Sequence, residues 1–221
     1  MNYKVVQDEQ SLISFIEWLP ELEEDHKYCL CLFARKKYAK DTDVDIPSGT
    51  CLLKRFIATK NNMLEKIHHL EIEKGRYYSK GVSLPQEALS LYVSVNPRDM
   101  QKALKLNAKK LVDMLCDQAK GFNIHQEALS CIQKSKGLTC WIDFDIDYKE
   151  FNLNILEDIL DKGSYRILET RGGFHILVDP KKVITHKRTF YKNLAVYADK
   201  TEDNLIPVPG CVQGDFVPRF L

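Results

Sequence analysis

The chain has almost no net charge and no long apolar run. Lys and Arg total 32 against 31 for Asp and Glu, so the formal charge of the 221 residues is +1. A neutral chain predicts no polyanionic partner from bulk electrostatics, and any nucleic-acid surface must come from local segregation of charge. No apolar run approaches the roughly 20 residues that span a bilayer, and the segment 1–9 lacks a signal-peptide pattern. We therefore expect a cytoplasmic protein with no membrane partner.

Paired cysteine motifs are also missing. The seven cysteines form no CxxC pair and no Cys/His spacing of the kind that binds zinc. The one close pair, Cys29 and Cys31, falls in a strand-like run at 28–33, where alternation puts both side chains on one face. We interpret them as small apolar residues, with a metal site at this pair as the less favoured alternative. The pattern predicts free, mostly buried thiols in a reducing compartment.

The composition is that of a globular protein, with 44% hydrophobic, 10% aromatic and 29% charged residues. The length suits one domain with two lobes, at 1–130 and 131–221. The first lobe is predicted to be α/β. It has helices at 11–19, 61–71 and 97–120, strands at 28–34, 51–58 and 89–95, and a loop at 40–49. Ser11 is the predicted N-cap of the first helix. The long helix ends at a predicted stop, Gly121, and carries an apolar stripe: Leu104, Ala108, Leu111, Val112, Leu115 and Ala119.

The pattern changes after residue 138. Short elements now alternate, and the spacing predicts the following order: strand 138–147, helix 151–161, strands 164–169 and 174–178, helix 184–198 and a last strand at 216–220. This order predicts an α+β fold in which helices back an antiparallel sheet.

An acidic strand is the most unusual feature of this second lobe. In the run 142–147, apolar residues at even positions alternate with Asp143, Asp145 and Asp147, which must share one face of the strand. Carboxylates about 7 Å apart raise one another's pKa unless a cation lies between them. Mg²⁺ or Mn²⁺ would relieve this conflict, so we predict metal ligation by Asp143 and Asp145, ahead of Asp147 at the strand end. The alternative is an exposed acidic strand, which the apolar neighbours disfavour.

A glycine-containing hairpin follows one helix later. Gly172 and Gly173 allow backbone N–H groups to approach an anion closely, and Thr170 and Arg171 supply further donors. His175 follows where the next strand resumes. This arrangement predicts a phosphate-binding turn, and the alternative is an ordinary hairpin with a half-buried histidine.

Together these motifs resemble the catalytic core of the archaeo-eukaryotic primase superfamily, which includes primase-polymerases and the polymerase domains of bacterial end-joining ligases. The family's first motif falls on Asp143 and Asp145, and its second on the run 170–175. Its third motif is a lone Asp preceded by an apolar residue, and neither Asp203 nor Asp215 has that neighbour. We prefer Asp203, because a run of apolar residues follows it.

The resemblance covers about residues 138–221 and carries several implications. It implies an RRM-like antiparallel sheet that carries the acidic site, and a template-dependent nucleotidyltransferase of primase or primase-polymerase type. Asp143, Asp145 and Asp203 would hold two Mg²⁺ or Mn²⁺ ions. The hairpin residues would bind the triphosphate of an NTP or dNTP. Single-stranded or primed DNA would be the template, with a helicase or another replication factor as a further partner.

A basic segment lies next to these motifs. No acid occurs between residues 180 and 198, and the segment predicts a positive surface that follows a nucleic-acid backbone, formed by Lys181, Lys182, Lys187, Arg188 and Lys192.

Two rival functions use the same residues. A metal-dependent nuclease would need the carboxylates but no triphosphate site. A catalytically inactive primase-like module would bind nucleic acid without turnover, a reading that the unclear third carboxylate leaves open.

Overall fold

The computed structural model describes residues 1–39, 46, 49–117, 123–202 and 204–221. Within these ranges the chain is mixed α+β, as predicted, and it has six α-helices: α1 (Glu9–Trp18), α2 (Lys60–His68), α3 (Met100–Asp117), α4 (Ile124–Lys134), α5 (Ile155–Ile159) and α6 (Phe190–Ala195). None of these helices is long and apolar enough to cross a membrane.

The strands of the described residues form two five-stranded sheets and one small hairpin. They are β1 (His26–Arg35), β2 (Thr50–Ala58), β3 (Tyr78–Ser79), β4 (Val82–Ser83), β5 (Leu89–Ser94), β6 (Arg98–Asp99), β7 (Ile142–Ile146), β8 (Tyr165–Glu169), β9 (Phe174–Val178), β10 (Lys200–Glu202), β11 (Leu205–Pro207) and β12 (Arg219–Phe220). The hairpin pairs β3 with β4.

The first sheet has the order β11-β5-β1-β2, and β6 also pairs with β1. Strands β1, β2 and β5 confirm the three strands predicted in the first lobe. Strand β11 comes from the C-terminal tail and pairs antiparallel with β5, so the chain returns to its first sheet.

Helix α1 begins earlier than predicted, because the Asp8 carboxylate accepts the backbone N–H of Ser11 at 3.1 Å. Asp8 is thus the N-cap, and the prediction of Ser11 was wrong.

The second sheet has the order β10-β7-β9-β8-β12, and every neighbouring pair is antiparallel. Helices α5 and α6 cover one face of this sheet. The core on that face is apolar, and its members include Phe144, Ile146, Leu156, Ile176, Phe190 and Leu194. The alternation in β7 therefore leaves its acidic residues on the opposite face.

The opposite face of the second sheet packs toward the first sheet. Leu168 and Leu177 belong to the same buried core as Leu30 and Val93 of the first sheet. Asn96, which is fully buried just after β5, also bonds to the segment that leads into β7. These contacts place the face of β7 that carries the carboxylates beside the first sheet.

Helix α3 departs from the sequence prediction. Its predicted apolar stripe includes Leu104, Val112 and Leu115, which are 65%, 59% and 75% exposed. The prediction of a core stripe was wrong for these three residues and for Ala108, which is also exposed, because α3 packs mainly against α4. Ala119 lies outside the described residues. Helix α4 was not predicted. The predicted loop 40–49 lies mostly outside the described residues, and the predicted stop at Gly121 lies wholly outside them.

Candidate functional site

Three acidic residues, two within β7 and one just after it, differ in their exposure to solvent. Asp143 is fully buried, whereas the side chain of Asp145 is 19% exposed. Asp147 lies one residue beyond the end of the strand and is exposed. Of the two acids within the strand, only Asp145 is therefore open to solvent.

His175 lies between the two carboxylates. The register of β9 against β7 puts His175 opposite Asp145. Its ring Nδ1 is 3.0 Å from each carboxylate oxygen of Asp143, and its Nε2 is 3.5 Å from Asp145 Oδ1. Burial lowers the pKa of His175, but the two carboxylates outweigh burial and raise this pKa to about 9. The ring is therefore a buried cation at neutral pH.

The two carboxylates have further neighbours from β10 and the segment after it. Burial raises the pKa of Asp145, the carboxylates of Asp147 and Asp143 raise it further, and the nearby cations His175 and Lys200 oppose this rise. The Asn204 side chain donates a hydrogen bond from Nδ2 to Asp143 Oδ2 at 3.0 Å. Asp143 is thus fully engaged with protein partners, while Asp145 is crowded by like charge.

A cleft of about 320 Å³ opens between the two sheets at this point. We call it the Asp145 cleft. Both sheets and the segments next to them line it, with Asp145, Asp147, Thr170, Gly172, His175, Lys200 and Asn204 on one side and Phe33, Arg35, Lys37, Tyr38, Thr50, Tyr92, Leu205, Pro207 and Gln213 on the other.

Sequence reasoning missed the cations of this cleft. Arg35 at the end of β1 donates from Nη1 to Tyr92 Oη at 2.6 Å, and its guanidinium lies 5.7 Å from the ring centroids of Tyr92 and Tyr38. Burial raises the pKa of Tyr92, but the Arg35 charge and the side-chain hydrogen bonds with Ser90, Tyr38 and Gln213 together outweigh burial and lower it. Lys37 lies 5.4 Å from the Tyr38 ring, and Lys200 pairs with Asp145 across β10 and β7. No local motif marks these residues, because distant strand pairings bring them together.

The two glycines of the hairpin have different roles. A Cβ on Gly173 would lie 1.9 Å from the carbonyl oxygen of Ile146, so Gly173 is required for close packing against β7. Gly172 lines the cleft. The turn is closed by Thr170, whose Oγ1 accepts the Gly173 N–H at 3.2 Å and whose own N–H donates to the Gly173 carbonyl at 2.9 Å. Only Gly172 is therefore free to face a ligand.

Arg171 does not line the cleft. Its Nε forms an ion pair with Asp215 Oδ1 at 2.8 Å, and its guanidinium lies 4.8 Å from the Tyr38 ring centroid. Its backbone N–H donates to Gln213 Oε1 at 2.8 Å. Asp215, the second choice for the third carboxylate, is thus the partner of Arg171. Asp203, the first choice, lies outside the described residues.

The predicted basic segment is split into two parts. All five of its basic residues are exposed and lie in the described part of the chain, and none lines the Asp145 cleft. Lys187 and Arg188 precede α6 and Lys192 lies on it, and α6 covers the sheet face opposite the carboxylates. Lys181 and Lys182 follow the end of β9 that is remote from the glycine hairpin.

The carboxylates of the cleft do not form a complete metal site by themselves. Within the described ranges no three His, Cys, Asp or Glu side chains form a group that could hold a metal ion. Mg²⁺, however, is usually bound by one or two carboxylates together with substrate phosphates and water. Asp145 and Asp147 both line the cleft, and their oxygen donors fit a divalent ion whose coordination a phosphate completes.

Comparison with known proteins gives no relative: no protein-family model, no curated protein and no solved structure matches this chain.

Proposed function

We propose that this chain is a template-dependent nucleotidyltransferase of primase or primase-polymerase type. The observation that carries the proposal is the contact of His175 with Asp143 and Asp145 beside a cleft lined by further cations. Such a cleft offers carboxylates for divalent ions and positive groups for a polyphosphate.

The arrangement of the second sheet supports an RRM-like catalytic core. Its elements follow the order β7, α5, β8, β9, α6 and β10, which is the β-α-β-β-α-β order of split βαβ folds. The acidic residues lie on the sheet face that the two helices leave uncovered. That placement agrees with the resemblance in the sequence.

In this proposal Asp143 and Asp145 hold the divalent ions, with Asp145 facing the cleft. When bound, the two ions would activate the attacking 3′-hydroxyl and stabilise the leaving pyrophosphate. We propose Asp203 as the third ligand, because both residues next to it in sequence are tied to Asp143. The backbone of Glu202 pairs with Asp143, and the Asn204 amide bonds to its carboxylate. In a Mn²⁺-bound crystal structure we expect an Asp203 oxygen about 2.0–2.6 Å from an ion, and Asp215 at that place would refute this choice.

His175 binds phosphate in this proposal and does not act as a general base. A base needs an unprotonated ring nitrogen, whereas Asp143 and Asp145 raise the pKa of His175 to about 9 and keep its ring protonated. Nδ1 is held by Asp143. Nε2 lies 3.5 Å from Asp145, longer than a normal hydrogen bond, so its N–H is left to donate to a phosphate oxygen. Arg35, Lys37 and Lys200 add positive charge to the same cleft, in the role predicted for Arg171. These cations favour a nucleotide triphosphate as the ligand, and so favour a nucleotidyltransferase over a nuclease.

One observation favours a second candidate, the inactive nucleic-acid-binding module. Both oxygens of Asp143 already accept hydrogen bonds, from His175 and from Asn204. Asp143 is also fully buried, so metal ligation by Asp143 requires its neighbours to move.

The test is incorporation of labelled dNTPs or NTPs on a primed template with Mn²⁺, using wild type and Asp145→Asn. We expect Asp145→Asn to lose incorporation by about a hundredfold or more and to lose Mn²⁺ uptake in calorimetry. Asp158→Asn is the matched control, because Asp158 is exposed on α5 behind the sheet. Equal Mn²⁺ binding by all three proteins would contradict the metal assignment. Strand cleavage without incorporation would indicate the nuclease, and strand binding alone would indicate the inactive module.

A further inference from the structure

A second cleft, of about 560 Å³, lies at the other end of the second sheet. We call it the tryptophan cleft. Its lining combines three aromatic residues, Trp18, Trp141 and Tyr165, with three basic ones, Lys162, Arg166 and Lys182. Trp141 precedes β7 and Tyr165 begins β8, whereas the Asp145 cleft lies at the glycine-hairpin end of the same strands. The five residues of β7 separate the two ends by about 13 Å at the rise of a β-strand.

The aromatic side chains of this cleft pack only partly into the hydrophobic core. The ring centroids of Trp18 and Trp141 are 4.7 Å apart with an interplanar angle of 32°. Phe220 packs edge-on against Trp18 at 4.8 Å. Both tryptophans remain partly exposed while they pack against the first core. The exposed parts of the two rings are therefore available for stacking.

The charge of this cleft is positive. Lys162, Arg166 and Lys182 are all exposed at its rim. Among the described residues their one ion pair joins Lys182 Nζ to Asp179 Oδ2 at 3.8 Å. Lys181 adds a further exposed cation next to Lys182 in the chain. This is the local segregation of charge that a neutral protein needs in order to bind a polyanion.

We infer that the tryptophan cleft binds single-stranded nucleic acid, with bases stacked on Trp141 and Tyr165 and phosphates on the three rim cations. Aromatic faces accept any base, and lysine and arginine side chains neutralise the backbone, so such sites bind single strands with little sequence preference. The choice of polymer rests on the proposed function, in which a template strand must pass beside the Asp145 cleft. About four nucleotides, at the 3.4 Å rise of one strand of B-form DNA, would bridge the two clefts.

Tryptophan emission reports on this cleft alone, because Trp18 and Trp141 are the only two tryptophans of the chain. The experiment titrates the full chain with a short oligodeoxythymidylate in EDTA, without nucleotide, and follows emission and the anisotropy of a labelled copy. We expect saturable quenching by the wild type. Trp141→Ala should weaken binding measured by anisotropy about fivefold to a hundredfold, the usual effect of losing one stacking platform.

Two charge variants make the decisive comparison. The triple variant Lys162→Gln, Arg166→Gln and Lys182→Gln should weaken binding at least about tenfold and lower the salt-dependence slope by about 2, which is three contacts at about 0.7 each. The control triple, Lys102→Gln, Lys105→Gln and Lys109→Gln, removes the same charge from α3, where none of the three residues lines either cleft, and should leave affinity within about twofold. All six side chains are exposed, so neither variant disturbs the core.

Equal weakening by the two triples would overturn the inference, as would the absence of oligonucleotide binding by wild type at low salt. The outcome can be separated from that of the proposed function, because binding is measured without metal or nucleotide. Quenching with the expected variant effects but no incorporation would contradict the proposed function alone. Incorporation without binding at the tryptophan cleft would contradict this inference alone.

Discussion

Replacing Gly173 with alanine tests whether the hairpin is fixed by packing against β7. The new Cβ would lie 1.9 Å from the Ile146 carbonyl oxygen and 2.7 Å from the Tyr148 amide nitrogen. Both are backbone atoms, so no side-chain rotation can relieve the clash. Overpacking a buried site destabilises a protein by about 1–3 kcal/mol, and a clash with two backbone groups belongs at the upper end. We therefore expect Gly173→Ala to lower the free energy of unfolding by about 3 kcal/mol or more.

Gly172→Ala is the matched control within the same turn. Its Cβ would meet only Asp147 Oδ1, at 3.3 Å, and this exposed side chain can move. We expect the free energy of unfolding to change by no more than about 1 kcal/mol. Thermal unfolding measures both variants. For a chain of this size a loss of about 3 kcal/mol corresponds to a fall of roughly 6–12 °C in Tm.

The two variants also separate packing from ligand binding. Gly172 lines the Asp145 cleft, so Gly172→Ala should weaken nucleotide binding in a protein that remains folded. A Gly173→Ala protein as stable as wild type would refute the reasoning, because it would show that β7 and the hairpin are not in the contact described. Equal destabilisation by both substitutions would refute it as well.

Three further predictions concern the site and its support. His175→Ala should weaken nucleotide binding by about tenfold to a hundredfold, because a charge-assisted hydrogen bond is lost, while single-strand affinity measured by anisotropy stays nearly the same; unchanged nucleotide affinity with lost strand binding would contradict this role. Arg35→Met should weaken triphosphate binding measured by calorimetry, whereas Arg171→Met should not, because Arg171 is held in an ion pair with Asp215. Weaker binding by Arg171→Met and unchanged binding by Arg35→Met would instead support Arg171 as the triphosphate ligand. Asn96→Ala should lower the free energy of unfolding in urea by about 3 kcal/mol, since Asn96 makes three hydrogen bonds to the residues before β7; a change below about 1 kcal/mol would show that this clamp is dispensable.

The acidic strand was predictable from the sequence because strand side chains alternate with a period of two. In the run 142–146 that alternation alone separates core residues from carboxylates, and the structure places Phe144 and Asp145 on opposite faces. The hairpin at 169–174 was predictable for a similar reason, since only four residues separate β8 from β9. Both features depend on local sequence.

The other side of the Asp145 cleft was not predictable by the same reasoning. Arg35 and Tyr92 meet because β1 pairs with β5, and Pro207 joins them because the tail pairs with β5 from the other side. Such pairings join segments that are far apart in the chain, and no short motif specifies their register. The cations proposed to bind the triphosphate therefore became visible only in three dimensions.

Helix α3 shows a different limit of sequence reasoning. Its periodicity identifies a helix correctly, since a repeat of 3.6 residues is a property of the segment itself. Which element covers the apolar stripe is a property of the whole fold. Helix α3 packs on α4, and the exposed Leu115 shows that the stripe is only partly used.

The distribution of charge relates the two clefts to each other. The chain has a formal charge of +1, yet Arg35, Lys37 and Lys200 lie in one cleft and further cations surround the other. Carboxylates occur among the cations of the Asp145 cleft and are absent from the described residues that line the tryptophan cleft. A divalent ion would therefore be drawn to the first cleft and a nucleic-acid backbone to the second. This asymmetry is what a polymerising site requires, because the metals must bind where the new bond forms, while the strand is held a few nucleotides away by contacts that are independent of its sequence.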